Sequence, residues 1–168
     1  IIMEDVTDDK LLNEKDIRDY LAMVAPVDYS NHFAYRRDIY NFMKERNLHL
    51  DCYNIYVGDS QLSKDYTMSI LDQSGQIEDT ITGIEFWYET NSEGLPMYWG
   101  WYSISSLKGI LNKTNKARNI RLRCENIQLG DETACYRFMP KGDKARFVRY
   151  FFGEIHVLPT SKLVPDSH

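Results

Sequence analysis

Apolar residues recur at helical spacing near the start of the chain and at strand spacing through most of the remainder. In NEKDIRDYLAMVAP, Ile17, Tyr20, Leu21 and Val24 fall at i, i+3, i+4 and i+7, the signature of one helical face. Asn13 suits the N-cap, with Asp16 three residues on, and Pro26 stops the run. FAYRRDIYNFMKERN predicts a second amphipathic helix with Tyr35, Ile39, Phe42 and Met43 on one side. From Cys52 the period shifts toward two, and YNIYV and YTMSIL read as short strands around the turn-rich GDSQLSKD. GIEFWYE sets Ile84, Phe86 and Tyr88 against Glu85, Trp87 and Glu89. The loop TNSEGLP then returns the chain into MYWGWYSI, which predicts an antiparallel hairpin with a loop longer than two residues.

SSLKGILNKT reads as a short helix opened by Ser105 or Ser106, with Leu107, Ile110 and Leu111 on one side. In NIRLRCENIQLGD the apolar set Ile120, Leu122 and Cys124 is followed by Ile127 and Leu129. The phase slips by one at Glu125–Asn126, which predicts a bulge or bend there. DKARFVRYF reads as helical, with Phe147 and Phe151 four apart, and Gly153 hands over to a strand at EIHVL. Two helices ahead of most of the strands imply α+β class: a mostly antiparallel sheet backed by helices, in a single domain over residues 1–168.

Composition refines this picture. At 168 residues and 13% aromatic content the chain can bury a core of its own. The opening IIMEDVTDDK has neither the basic region nor the apolar core of a secretory signal, and no apolar run reaches membrane-spanning length, so a cytoplasmic setting without membrane contact is expected. Position 1 is Ile, and the chain is read as a piece of a longer protein. Cys52, Cys124 and Cys135 are an odd, scattered set, which signals neither a disulfide framework nor a zinc knuckle. Charge is uneven: residues 1–93 carry 8 Lys+Arg against 19 Asp+Glu, net −11, and residues 94–168 carry 12 against 6, net +6. An anionic partner would meet the second half.

Several chemistries lack their motifs. Neither G-x-x-x-x-G-K-[ST] nor G-x-G-x-x-G occurs, nor H-E-x-x-H or G-x-S-x-G. His32, His49, His156 and His168 are too dispersed to signal a metal site, and His156, between Ile155 and Val157 on a strand, is expected to face outward. YWGWY could stack on sugars, but it reads as core packing, with Trp99 and Trp101 on one strand face and Tyr98 and Tyr102 on the other. Glu85 and Glu89 flank Trp87 as a glycosidase pair would, and read as the solvated face of a strand. Lys108, Lys113, Lys116, Arg118, Arg121 and Arg123 lie in a stretch with no acid between Glu93 and Glu125. If Ile120, Leu122 and Cys124 point inward, Arg121 and Arg123 project together, and with Arg118 they form a patch for nucleic acid or a phosphate. The alternative is a solvated surface pairing with the acidic first half.

Taken in order, NIRLRCENIQLGD, RFVRYFFGEIHV and LVPDS resemble the middle, or transducer, domain of GHKL ATPases, closest to heat-shock-protein-90-like chaperones. The corresponding residues are Phe151, Gly153 and Val157, then Leu163, Val164, Pro165, Asp166 and Ser167, over roughly the last third of the chain. Pro165 follows Val164 where the family has Pro after Leu, and Asp166 stands where Asn is usual. The resemblance implies a fold like the second domain of ribosomal protein S-five, with no catalytic residue and no cofactor in this stretch. ATP and Mg would be bound by a separate N-terminal nucleotide-binding domain of the same chain, whose ATP state would be coupled to protein clients. That agrees with the lack of Glu-x-x-x-Asn and Asp-x-Gly-x-Gly here. The resemblance also implies that Asp166, Ser167 and His168 open a loop approaching the γ-phosphate, with an arginine expected to follow. A second expectation is a nucleic-acid-binding module of a MutL-like ATPase, working through Arg118, Arg121 and Arg123.

Overall fold

The computed structural model describes residues 13–135 and 148–159. Its elements are α1 (Glu14–Val24), α2 (Arg36–Glu45), β1 (Tyr56–Val57), β2 (Ser60–Gln61), β3 (Ser69–Leu71), β4 (Ile77–Thr90), β5 (Pro96–Ser105), β6 (Asn119–Cys124), β7 (Ile127–Gln128) and β8 (Phe152–Val157). Six strands form one sheet in the order β3-β4-β5-β8-β6-β7, and β1 and β2 form a separate two-stranded ribbon. Every pair is antiparallel except β6 with β8. The class is therefore α+β, as the sequence predicts. No helix among the described residues is long and apolar enough to cross a membrane.

Both helices form where the spacing places them. The Asn13 side chain accepts hydrogen bonds from the Lys15 and Asp16 amides, satisfying donors that the first turn leaves open. In α2, Ile39, Phe42 and Met43 are buried as expected, and Phe42 stacks on Phe86 of β4 at 4.1 Å. In α1 the burial is rotated. Ala22 and Met23 are its buried residues, and Tyr20, placed on the inner face by its spacing, is 68% exposed. Met23 joins the main core, and its carbonyl accepts from Arg123 Nη2, so the interior contact forms through Met23 rather than Tyr20.

The hairpin β4–β5 carries most of the core. Its register pairs Phe86 with Trp101 and Tyr88 with Trp99, and both tryptophans are fully buried among Tyr29, Phe33, Phe42, Tyr66 and Phe152. Gly100 lies between them, and a Cβ there would collide with the Glu154 carbonyl oxygen on β8. The residue is glycine because two strand backbones close together at that point.

Three expectations need correction. SSLKGILNKT is not helical; it runs as turns and extended chain. Asn115 substitutes for a strand partner there, its amide accepting from the Leu71 N–H and donating to the Leu71 carbonyl, each at 2.8 Å, which ties the segment to β3. Turn-forming Asn and Gly residues thus prevail over an amphipathic pattern too short to hold a helix. At Glu125–Asn126 the slip in phase is a complete chain reversal: both φ values are positive, 48° and 66°, and Cys124 pairs directly with Ile127. This is the two-residue hairpin geometry of positive φ at both turn positions. GDSQLSKD contains β2 as well as a turn. Of DKARFVRYF, residues 143–147 lie outside the described residues, and residues 148–150 form a single 3-10 turn.

Candidate functional site

Strand β8 lies between β5 and β6, and the two registers set its inward side chains in rows. Trp101, Glu154 and Arg121 align across β5, β8 and β6; one step along, Trp99, His156 and Arg123 align. Each of these side chains is buried, and Glu154 and Arg123 have no exposed surface. Alternation accounts for the grouping, because residues two apart on a strand share a face.

Glu154 is the centre of the cluster. Its Oε1 accepts from Arg123 Nε at 2.5 Å and from the Tyr66 hydroxyl at 3.0 Å. Its Oε2 accepts from Lys64 Nζ at 2.8 Å, from His156 Nε2 at 2.9 Å and from the Tyr29 hydroxyl. Five donors thus meet one carboxylate, which offers about four lone-pair sites. Around them, Trp101 Nε1 donates to the Tyr29 hydroxyl at 3.0 Å, and the His156 ring stacks on Trp99 at 4.3 Å. Arg123 Nη1 and Nη2 donate to the carbonyls of Asn126, at 2.9 Å, and Met23, at 2.6 Å. The Met23 bond fastens the end of α1 to the sheet. Asn126 in turn donates to the Asp51 carbonyl at 2.7 Å.

Lys64 and Tyr66 come from the extended segment between β2 and β3, where Leu62, Lys64 and Tyr66 alternate inward and Asp65 and Thr67 outward. Tyr29 comes from the link between α1 and α2. The neighbouring Asp28 organises that link, bonding Arg36 at 2.7 Å and the Tyr40 hydroxyl at 2.6 Å. Burial works against the Asp28 charge, but those two bonds, the Arg36 charge and the Tyr29 N–H together hold its carboxyl below the usual range.

The electrostatics follow from burial and partners. Burial opposes the charge on Glu154, yet Arg123 first, then Lys64 when it is protonated, with the His156 bond, hold its carboxyl well below the ordinary value. Burial, and then the facing Glu154 charge, push the Tyr29 and Tyr66 hydroxyls upward, so both remain donors. Burial lowers His156 to about 4 against the pull of Glu154, leaving a neutral ring. An ionised carboxylate only accepts, so the proton of that ring is on Nε2. Burial and Arg123 lower Lys64 to about 7.

Sequence-predicted positions fare unevenly. Trp99 and Trp101 are core, as expected, and Glu85 and Glu89 lie on the exposed side. The outward reading of His156 is corrected: it is 3% exposed, because its strand is interior and covered on both faces. The outward pair Arg121 and Arg123 is corrected likewise. Arg121 is 7% exposed and bonds Gln128 and the Lys116 carbonyl, and Arg118 pairs with Glu132 at 3.1 Å. Ile120 is buried against Cys135 and Val148 on the opposite face, so β6 is covered on both sides and neither parity is solvated. The three arginines drawn as an anion patch are therefore engaged within the fold. Asp166, Ser167 and His168 lie outside the described residues. Among the described residues no group of His, Cys, Asp and Glu has a metal-holding arrangement. Glu154, Lys64, Tyr29 and Tyr66 were not singled out from the sequence. The available signal was charge at positions alternating with the apolar residues of strand-like runs.

Two surface hollows, of about 150 and 350 Å³, lie near Thr67 and Asn115 and near Tyr40 and His49; neither is lined by Glu154. What the buried cluster can do chemically is bind segments together and hold or exchange a proton at Lys64. No protein-family model matches the chain, no curated protein matches it, and no solved structure matches it.

Proposed function

We propose that this chain is a non-catalytic middle domain of a heat-shock-protein-90-like ATPase, one that passes the ATP state of a separate nucleotide-binding domain to a client or partner. The supporting observation is the anchoring of β8. This interior strand is fixed to other segments by four hydrogen bonds to one buried carboxylate, and it leads through Leu158 and Pro159 toward Asp166, Ser167 and His168, where the resemblance places the phosphate-approaching loop. A strand held this firmly to α1 and to the Lys64 segment transmits displacement of its end to the whole sheet rather than absorbing it locally. The cluster itself is enclosed by protein, so its chemistry serves connection.

Titration calorimetry of the chain with Mg·ATP tests the non-catalytic half of this reading. No binding in the micromolar range is expected, and micromolar affinity would overturn it. The coupling half is tested in the longer protein that the reading requires. There Glu154→Gln is expected to lower ATP turnover while leaving ATP affinity in place, and unchanged turnover would defeat the coupling role.

A further inference from the structure

We propose that the Lys64–Glu154 contact is a proton-operated latch: with the Lys64 amine neutral, residues 62–64 stay closed on β8, and protonation releases them toward solvent. The inference rests on the buried cluster and does not require the coupling role.

The geometry distinguishes Lys64 from its fellow cation. Arg123 cannot lose its proton and is served at three nitrogens, by Glu154 Oε1 and the Asn126 and Met23 carbonyls. Its charge already matches that of Glu154. An ammonium at Lys64 brings three N–H donors, and the contacts drawn to Nζ are Glu154 Oε2 and the face of the Tyr29 ring at 4.2 Å. That oxygen is also claimed by Tyr29 and His156. A second cation therefore leaves a fully buried site net positive and short of acceptors, whereas a neutral amine still donates one hydrogen bond and needs no counter-charge.

The groups facing Lys64 are Glu154 and His156 from β8, Arg123 and, farther off, Arg121 from β6, Tyr29 from the α1–α2 link, Tyr66 from its own segment, and Cys52 ahead of β1. Asp28, Arg36 and Tyr40 form the next shell. Burial and Arg123 bring the Lys64 proton step to about 7 from an ordinary 10.5. The closed form thus binds fewer protons than the opened one between those values. It is favoured as pH rises through that interval, and below about 7 the burial penalty is complete. The moving part is limited to residues 62–64, fastened by Leu62 N–H to Ile55 and by Lys64 N–H to Asp28, both at 2.8 Å, and by a bridge to Tyr29, while Tyr66 stays anchored in the core against Trp101 and Phe152.

Amide hydrogen exchange on the 168-residue chain at about pH 6 and about pH 8.5, corrected for intrinsic rates, reads the latch at Leu62 and Lys64. Protection is expected to be on the order of tenfold higher at the upper pH, and flat in Lys64→Met. A flat profile in the wild type, or the same rise in Lys64→Met, would overturn the proposal. Should Lys64→Met not fold, the Lys64 Cε resonance of the wild type decides: a midpoint near neutrality supports the latch, and one near the ordinary 10.5 rejects it.

Discussion

Glu154 stays ionised at a place where burial alone would neutralise it, and the reason is the arginine on the adjacent strand. Arg123 keeps its charge under all ordinary conditions, so removing the carboxylate leaves a guanidinium in a sealed interior beside carbonyls and neutral hydroxyls, without its counter-charge. Glu154→Gln is therefore expected to destabilise the fold by about 3–5 kcal/mol in urea denaturation. Adding Arg123→Met should recover part of that loss, because the stranded charge goes with it. A double change no more stable than Glu154→Gln alone would show that the pair is not the dominant interaction. Little of this site is legible in the sequence. Arg123 and Glu154 are 31 residues apart and Lys64 and Glu154 are 90 apart, so their meeting depends on the parallel register of β6 and β8. Local alternation does not report such a register. It also fails to say which side of β6 or β8 is wet, since both sides of an interior strand are covered.

Elements were legible where local chemistry and tertiary need agree. Asn13 caps α1, Ile39, Phe42 and Met43 define the inner side of α2, and the Ile84–Tyr88 alternation finds its partner across the β4–β5 loop. The failures are elements defined by partners elsewhere, as after the Leu107–Leu111 run, where Leu111 N–H donates to the Arg149 carbonyl and Asn115 ties the chain to Leu71 of β3. The β6–β7 turn is an intermediate case: the slip at Glu125–Asn126 was visible, but its reversal depends on two positive φ values. The two positions separate cleanly. Glu125 is exposed with φ of 48°, so Glu125→Gly relieves backbone strain and is expected to be neutral or to stabilise by about 0.5–1 kcal/mol. Asn126 is 1% exposed and donates to the Asp51 and Val27 carbonyls, so Asn126→Gly is expected to cost about 1–3 kcal/mol despite its easier backbone. Equal effects at the two positions in denaturant titrations would contradict this division between backbone and side chain.

At the scale of the molecule, one buried cluster joins α1, the α1–α2 link, the segment before β3 and strands β5, β6 and β8, so its protonation sets the acid tolerance of the fold. Below about pH 7, where the Lys64 penalty is already complete, His156 and Glu154 remain to titrate, and both act in the same direction. Burial holds His156 neutral in the folded chain, at about 4 against an ordinary 6.5. Its contribution is fully present above pH 6.5 and is lost as pH falls toward about 4, because only the unfolded chain takes up the proton in that interval. Glu154, held well below its ordinary 4.5, adds stability that is complete above that value and is lost as pH falls through its folded value. On the acid side of the Lys64 step, stability should accordingly decline in two further stages, one beginning under pH 6.5 and one steepening below 4.5. Replacing His156 by Phe keeps a ring over Trp99, removes the titrating nitrogen and leaves Glu154 four donors. The upper stage is therefore expected to flatten in His156→Phe while the lower one persists, as read from urea midpoints at fixed ionic strength. If the upper stage survives the substitution unchanged, the acid response originates outside the cluster and Glu154 does not govern the stability of the whole.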